Sequence, residues 1–375
     1  MIIETILALV LHVAAGESVN AALEQARAAY AESGDRTTIY IEPGDYEEEL
    51  TIDVPGLRLI NASETPSIAV KNGGVDIDAN AVRLTWYYGH GYQYASMKGA
   101  FNYGGKRARR WNASTLVTAP EFYAENIIFQ NSFNLYVSAA ESADTLVDIS
   151  QAKNDWTANE RPKRIMPNRP KDIGSTEVQK RFYRERASAL SFTSTATSCV
   201  LKNCRVVSRQ DAFYGDHGAS VVVHGGVLAG AVDYIFGGLQ LFVRRTELVA
   251  MVGSEKGDHC YITAGRAATL ENLATLPAAS RDSVPKEEIT SHGMSFWDCT
   301  VRHATADELV DPGHSPVWLG RPWRWWGEVT FWGVKAEEGV LNEERWSLGL
   351  TKGHPAPFVK DYRNYFNAGD ELIPY

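Results

Sequence analysis

The sequence of 375 residues predicts an all-β protein. Short runs of β-branched and aromatic residues recur along the chain, and glycine, asparagine, aspartate or proline separates most of them. Only one long stretch has the spacing of a helix, and one segment matches itself after a shift of 22 residues. Sandwiches, barrels, propellers and β-solenoids all have short strands. The internal match favours the solenoid, in which each coil stacks on the last.

The N-terminal part is predicted to form one strand and one helix. Residues 2–16 are apolar, but Glu4 interrupts them and no basic residue precedes them. Because a secretory signal begins with basic residues, we interpret this stretch as a first core strand and leave the protein's location open. Residues 18–35 carry alanine and leucine at helical spacing and reach Gly34, which predicts an amphipathic helix.

Strands are predicted along the rest of the chain. The runs are RTTIYIEP, LTIDV, GLRLINA, AVRLTWYY, STLVTA, NIIFQNS, SALSFTS, CVLKNCRVV, ASVVVHGG, LQLFVRR, HCYITAGR, GMSFWDCTVRH, SPVWLG and GEVTFWGVKA. Residues 137–186 break this pattern and are predicted to be a long inserted loop. Between 153 and 186 the chain has ten Lys or Arg and five Asp or Glu, so the loop is either a solvated excursion or a basic lip for an anionic polymer.

Composition excludes several classes of partner. A net charge of −9 and a pI near 5.6 argue against nucleic acid. No apolar run reaches the roughly 18 residues of a membrane span. The four cysteines are too few for a disulfide framework and lack zinc-site spacing, so we expect buried or idle thiols. We expect one domain over residues 1–375 and a monomer.

The internal repeat pairs two aspartates. DAFYG begins at Asp211 and DYIFG at Asp233, so a shift of 22 residues aligns the two motifs. Equivalent positions on successive coils of a parallel solenoid lie roughly 4.8 Å apart, which predicts that the two carboxyl groups are neighbours. Close carboxylates share a proton, so one is an acid and the other an anion. That division suits an acid and a nucleophile, although aspartate at an outward turn is the structural alternative.

Other polar and aromatic residues fit the same chemistry. Gln210 precedes the first aspartate, and its amide can donate to a developing oxyanion. Arg321 lies in WLGRPWRWWG and can clamp a carboxylate in two-point fashion. Four tryptophans surround it, and aromatic faces stack on ligand rings: Trp318, Trp323, Trp325 and Trp326. The sequence has no G-x-S-x-G elbow, H-E-x-x-H or P-loop, and its nine histidines are scattered.

Three motifs resemble the signatures of the pectin methylesterases, or pectinesterases. These are RQDAFYG, GAVDYIFG and WLGRPW, in this order, with weaker matches in PGDYEEE, NIIFQNS and CYITAGR. The resemblance covers about residues 10 to 370. It implies a right-handed parallel β-helix with a short N-terminal helix, a site in a cleft on one side, and no metal or organic cofactor.

The resemblance also implies roles. Asp233 would attack the C6 methyl ester of a galacturonate unit in pectin or a methylated oligogalacturonide. Asp211 would protonate the departing methanol and then activate water. Gln210 would hold the oxyanion and Arg321 would orient Asp233. Three aromatic residues would contact the sugar rings: Tyr214, Phe236 and Trp323.

The chain departs from the family pattern at two positions. Where many members have Q-A-V-A-L, this sequence reads RASAL, so Arg186 replaces a second oxyanion glutamine. Tyr234 replaces the phenylalanine that follows the nucleophile. Arg186 would donate to the oxyanion and favour ionised carboxylates, or it would end the basic loop and point to solvent.

Two other functions remain open from the sequence. The same machinery could act on another ester, such as a thioester or an acetyl group. A non-catalytic galacturonan-binding solenoid or a lyase-like relative is the third reading. A lyase of this shape would need a cluster of acidic residues for calcium, whereas the sequence pairs two aspartates with a glutamine and an arginine.

Overall fold

The computed structural model describes residues 9–90, 92–97, 112–147 and 169–347. In this part of the chain, three long parallel sheets, here named A, B and C, wind around a common core. A typical coil passes through A, then B, then C before the next coil begins. This is the parallel β-helix that the sequence predicts.

The strands are numbered in chain order. Sheet A contains β1 (Leu9–Val13), β2 (Thr37–Ile41), β5 (Arg58–Asn61), β11 (Tyr123–Glu125), β15 (Cys199–Lys202), β18 (Ser220–His224), β21 (Gln240–Arg244), β26 (Met294–Trp297) and β29 (Val329–Trp332). Sheet B contains β3 (Gly44–Glu47), β8 (Val82–Trp86), β12 (Ile127–Asn131), β16 (Arg205–Val207), β19 (Val227–Gly230), β22 (Glu247–Ala250), β27 (Thr300–His303) and β30 (Lys335–Ala336). Sheet C contains β4 (Leu50–Ile52), β10 (Thr115–Val117), β14 (Leu190–Phe192), β17 (Phe213–Gly215), β20 (Val232–Gly237), β23 (Cys260–Gly265) and β28 (Val317–Gly320).

Three short strand pairs lie outside these sheets. They are β6 (Val70–Lys71) with β7 (Asp76–Ile77), β9 (Gln93–Tyr94) with β13 (Leu146–Val147), and β24 (Ala268–Thr269) with β25 (Ile289–Thr290). Short helices occur in the connections: α2 (Ala139–Ala143), α3 (Leu270–Ala274), α4 (Ala278–Arg281), and 3₁₀ turns at Ala95–Met97, Ser132–Asn134, Glu177–Gln179, Arg181–Tyr183 and Lys286–Glu288.

The predicted N-terminal helix is α1 (Val19–Ser33). Ser18 caps its start by accepting the N–H of Ala21, and Gly34 ends it with a left-handed φ of 74°. Its apolar face, which includes Leu23, is buried in the main core at the first coils. None of the helices in the described ranges is long and apolar enough to cross a membrane.

The core consists of ladders of apolar side chains that repeat from coil to coil. In sheet A one ladder joins eight strands in register, and every member is fully buried: Ile39, Leu59, Ala124, Leu201, Val223, Val243, Phe296 and Phe331. The rings of Phe296 and Phe331 stack with centroids 4.5 Å apart. Each large apolar member stabilises the fold by roughly 1.5–3 kcal/mol, so the stacking of coils provides most of the stability.

A ladder of left-handed residues forms the corner between sheets A and B. Six coils turn at one residue with φ between 47° and 68°: Asn126, Asn203, Gly225, Arg245, Asp298 and Gly333. Asparagine, aspartate and glycine tolerate this conformation best, which explains most of these positions. The N–H groups of the first five corner residues continue the ladder, as when Asn203 donates to the carbonyl of His224 at 2.8 Å.

Most predicted strands are found, and the differences have a physical cause. CVLKNCRVV, GMSFWDCTVRH and GEVTFWGVKA each form two strands, because a corner residue bends the run at Asn203, Asp298 or Gly333. The first predicted strand is β1, while residues 2–8 lie outside the described residues. The four cysteines are buried free thiols, as expected.

Candidate active site

The candidate site lies on the outer face of sheet C. The connections from sheet B to sheet C flank one side of this face, and their described residues include 132–147, 169–189, 251–259 and 304–316. The connections from sheet C to sheet A flank the other side, namely residues 266–293 and 321–328. The described part of the long insertion therefore lies beside the site as one of its walls.

Asp211 and Asp233 lie next to each other on successive coils. The coil from β15 to β17 pairs with the coil from β18 to β20 at a constant offset of 22 residues, as in Val206 with Leu228 and Tyr214 with Phe236. The bridge between Gln210 and Val232 continues this register. The two aspartates are thus one strand spacing apart, as the repeat predicts.

Both aspartates have left-handed backbones, with φ of 57° for Asp211 and 50° for Asp233. A left-handed residue breaks the alternation of a strand, so both residues that follow Asp233, Tyr234 and Ile235, point into the core. Aspartate tolerates this conformation better than most residues. The kink therefore lets one strand fill the core and still leave its carboxyl group at the site.

Arg321 binds Asp233 through two hydrogen bonds. Its Nε donates to Oδ1 and its Nη2 to Oδ2, both at 2.7 Å. The backbone N–H of Arg321 donates to the carbonyl of Thr263 at 2.9 Å, which anchors the turn after β28. This is the two-point clamp that WLGRPW suggests.

Their neighbours give the two carboxyl groups different charge preferences. Burial raises the pKa of Asp211 well above its ordinary value; Arg186 opposes this rise, while Asp233 and Glu185 add to it. Burial also raises the pKa of Asp233, but the hydrogen bonds and charge of Arg321 oppose the rise directly. The surroundings therefore favour protonation of Asp211 more strongly than protonation of Asp233.

Arg186 lies near Asp211 and does not extend into solvent, since its side chain is only 15% exposed. Its Nε is 3.5 Å from a carboxylate oxygen of Glu185, which also accepts the backbone N–H of Arg186 at 3.0 Å. The carbonyl of Arg186 accepts the N–H of His90 at 2.6 Å. Burial and the charge of Arg186 lower the pKa of His90 well below its ordinary value, so this imidazole is neutral.

Gln210 is half-buried immediately before Asp211, and its carbonyl accepts the N–H of Ala187 at 3.1 Å. This hydrogen bond connects the segment that carries Arg186 to the segment that carries Gln210. The two candidate oxyanion donors belong to adjacent coils of sheet C.

A buried ion network lies behind these residues. Asp258 is fully buried and accepts hydrogen bonds from Arg184, Arg209 and the backbone N–H of Gly253, the last at 2.7 Å. Arg209 directly precedes Gln210, and Arg184 lies near the end of the insertion. Removing one partner of such a network leaves a buried charge uncompensated. Asp258 therefore joins three segments that surround the site.

The aromatic residues divide into two groups. Tyr214 and Phe236 are buried with ring centroids 4.6 Å apart, and Phe236 lies 5.7 Å from the half-exposed Trp323. Trp325 and Trp326 instead pack against the apolar cluster of residues 268–289. Two of the four tryptophans near Arg321 thus stabilise a neighbouring wall.

Sequence reasoning missed three residues beside the site: Glu185, Asp258 and Tyr261. Glu185 is next to Arg186 in the chain, and strand alternation in HCYITAGR places Tyr261 on the outer face. The sequence pattern could therefore have indicated these two residues. Asp258 lies in an irregular loop, and no spacing in the sequence indicates its partners.

Three arginines in the described part of the inserted segment turn inward to carboxylates. The structure describes residues 137–147 and 169–186 of it, and 148–168 lie outside the described residues. Arg169 is buried against Glu141, Arg184 binds Asp258 and Arg186 faces Glu185. These three cations stabilise the insertion and do not form a basic lip.

Several solved structures share this fold. A pectin methylesterase from carrot matches with a TM-score of 0.55 and 17% identity, covering 97% of this chain and 83% of that one. PemA from Erwinia chrysanthemi matches with a TM-score of 0.54 and 16% identity over 89% and 80% of the two chains. A pectin methylesterase in complex with a hexasaccharide matches with a TM-score of 0.54 and 16% identity over 88% and 80%. At these identities the likeness establishes the fold.

The assignment to a family rests on a comparison of sequence. A sequence model described as Pectinesterase matches residues 176–371, just over half of the chain. A search among curated proteins found no match. The fold and this match define a β-helical carboxylic ester hydrolase. The chain belongs to the pectinesterase family, and family and fold together support a pectin methylesterase activity in general terms.

Proposed function

We propose that the protein hydrolyses the C6 methyl esters of galacturonate units in pectin or its oligomers, with Asp233 as nucleophile and Asp211 as acid and base. The observation that carries the proposal is the asymmetric carboxyl pair. One member is clamped by Arg321 and the other is buried beside it with a raised pKa. An ionised and a protonated carboxyl group side by side are what this chemistry needs.

In the first half of the reaction, the Asp233 carboxylate attacks the ester carbonyl carbon. The carbonyl oxygen becomes an oxyanion, which Gln210 and Arg186 stabilise as hydrogen-bond donors. Collapse of this intermediate breaks the bond to the methoxy group, and Asp211 transfers its proton to that group. Methanol leaves, and the sugar's acyl group is joined to Asp233.

In the second half, Asp211 is ionised and removes a proton from a water molecule. The resulting hydroxide attacks the same carbonyl carbon, and the bond to Asp233 breaks. The products are the carboxylic acid of the galacturonate unit, which releases its proton to solvent, and the ionised nucleophile, with one proton of the water back on Asp211. The cycle balances without a metal or an organic cofactor.

The aromatic residues support a carbohydrate substrate. Trp323 is half-exposed beside the site and can stack on a sugar ring, while Phe236 and Tyr214 form the buried floor beneath it. A solved neighbour of the same fold is a pectin methylesterase in complex with a hexasaccharide, which agrees with a substrate of this kind.

The test is methanol release from highly methylated pectin by the parent protein and by Asp233→Ala and Asp211→Ala. We expect each variant to lose several orders of magnitude in kcat while its melting temperature stays close to that of the parent. Asp298→Ala is the matched control, since Asp298 is also a left-handed aspartate, φ 52°, but lies at the corner of sheets A and B. This control should keep parental activity.

Two outcomes would contradict the proposal. One is near-parental methanol release from Asp233→Ala or Asp211→Ala. The other is a parent that releases no methanol from pectin but hydrolyses acetyl esters or thioesters, or that binds galacturonan without hydrolysis. Each alternative is measured with the same preparations.

A further inference from the structure

The guanidinium of Arg321 has a second contact that the reaction above does not use. Its Cζ lies over the ring of Tyr261, 4.5 Å from the ring centroid. Tyr261 is half-exposed on β23, and Trp318 on β28 is its register partner. The rings of Tyr261 and Trp318 are 5.2 Å apart and tilted by 30°. Arg321, Tyr261 and Trp318 thus form one stack.

Strand order explains why this contact matters. In sheet C the order is β28, β23, β20, so β23 lies between the strand that ends before Arg321 and the strand that carries Asp233. The side chain of Arg321 must cross β23 to reach Asp233. Tyr261 is the residue of β23 whose ring supports that crossing, and its register partner on β20 is Val232, the neighbour of Asp233.

The two contacts use different parts of the guanidinium. The hydrogen bonds to Asp233 use N–H groups at the edge of the plane, and the aromatic ring binds the face. A long arginine side chain has considerable rotamer freedom, and a carboxylate alone restrains only its end. A ring beneath the face restrains the plane and therefore the direction of both hydrogen bonds.

We propose that Tyr261 is a positioning residue for the hydrolysis, acting through Arg321 to keep Asp233 ionised and correctly oriented. This inference depends on the proposed role of Asp233. Tyr261 has no role in the transfer itself, since the ring holds the arginine and the arginine holds the nucleophile.

The first experiment compares Tyr261→Leu and Tyr261→Phe in methanol release from methylated pectin. The leucine variant should lose about 3- to 30-fold in kcat, the range expected for a cation–aromatic contact, with KM within about two-fold of the parent. The phenylalanine variant retains a ring and should be close to parental. Tyr40→Leu is the matched control, because Tyr40 is a half-exposed tyrosine stacked on His12 on sheet A.

The second readout is the pH–rate profile. The charged groups that act on Asp233 are Arg321, Arg184 and Arg186, which lower its pKa, and Asp211 lies beside it. Loosening Arg321 weakens the strongest of these opposing influences, so the pKa of Asp233 rises. The acidic limb of Tyr261→Leu should move to higher pH, and that of Tyr261→Phe should stay in place.

The third measurement is a double-mutant cycle with Arg321→Ala. If Tyr261 acts only through Arg321, Tyr261→Leu should cause no further loss in the Arg321→Ala background. A merely structural role for Tyr261 predicts additive losses instead, together with a lowered melting temperature.

The proposal is overturned if Tyr261→Leu keeps parental kcat and pH profile, if it changes KM alone, or if its loss adds to that of Arg321→Ala. Should the leucine variant not fold, Trp318→Leu provides the same test, since it removes the ring stacked on Tyr261. Failure of the proposed function reads differently, because then the parent itself releases no methanol or Asp233→Ala remains active.

Discussion

Asp211 and Asp233 are the same residue type in the same backbone conformation, yet their surroundings favour protonation to different degrees. Asp233 receives two hydrogen bonds from a guanidinium. Asp211 is 4% exposed, and burial together with the nearby carboxylates Asp233 and Glu185 raises its pKa, while Arg186 and, more weakly, Arg321 oppose the rise. Burial disfavours the ionised form of a carboxyl group, and a nearby cation stabilises that form. The arginines therefore decide which carboxyl group keeps its proton.

Arg186 offers a prediction at this scale. Its positive charge lowers the pKa of Asp211 against burial, and more weakly that of Asp233. In Arg186→Gln both pKa values should rise, so the pH–rate profile, including its acidic limb, should move to higher pH. Turnover should fall as well, because a neutral amide donates a weaker hydrogen bond to the oxyanion.

The measurement is kcat against pH for Arg186→Gln and the parent, with Arg245→Gln as control. Arg245 is a corner residue of sheets A and B, outside the site. Superimposed profiles for Arg186→Gln and the parent would mean that Gln210 alone supports the oxyanion.

At the scale of the element, the repeated motif combines two special backbone positions in each coil. Its aspartate is left-handed and faces the site, and its glycine allows two coils to approach closely. Gly237 has φ of 119°, and a Cβ at this position would lie 2.1 Å from the carbonyl oxygen of Gly215. The glycines of DAFYG and DYIFG are therefore needed for coil stacking.

Gly237→Ala should lower the free energy of unfolding by about 2–4 kcal/mol, because strained φ and a backbone clash add. Gly339→Ala is the control, since Gly339 also has positive φ, 75°, but nothing lies within 4 Å of its added Cβ. It should cost about 1 kcal/mol. Chemical denaturation of the two variants measures the loss in the free energy of unfolding of each. Equal losses would show that the coils separate to accommodate the methyl group.

At the scale of the whole molecule, connections fold back on the sheets and bind strands of distant coils together. Glu308, in the connection after β27, accepts hydrogen bonds from Arg302 on β27 at 2.7 Å and from Arg205 on β16 at 3.0 Å. Two strands of sheet B, β19 and β22, separate these arginines. The carboxylate thus spans four strands of the sheet.

Glu308 should make stability depend on pH. Burial alone would raise its pKa, but Arg302 and Arg205 lower it to about 2. The folded-state pKa lies below the unfolded value of about 4.3, so ionised Glu308 stabilises the fold at pH values above about 4.3. This stabilisation is lost as the pH falls towards 2. A pKa difference of this size corresponds to about 3 kcal/mol in the free energy of unfolding at neutral pH.

Glu308→Gln should therefore lower the free energy of unfolding at pH 7 and weaken its dependence on pH between about 4 and 2. The control is Glu247→Gln, which removes a carboxylate bound to the same Arg302 but 48% exposed, and which should change little. Parallel unfolding curves for Glu308→Gln and the parent across this range would refute the assignment.

The sequence by itself determined the β-helix, its N-terminal helix and the pairing of Asp211 with Asp233. Each of these depends on a local pattern or on a repeat of one coil, and a coil of 22 residues brings residues 22 apart into register. Gln210 adjoins this pair in the chain, and WLGRPW indicates a carboxylate clamp through a motif rather than a distance.

Only the tertiary structure decided which side chains complete the site. Coils differ in length because the connections differ, so no fixed spacing relates Arg321 to Asp233, Tyr261 to Arg321 or Asp258 to Arg184 and Arg209. These contacts form where long connections return to the sheet. Burial and charge determine which side chains pair there. The same reason explains the insertion, whose basic composition suggests a surface for anions while its arginines Arg169, Arg184 and Arg186 turn inward to carboxylates.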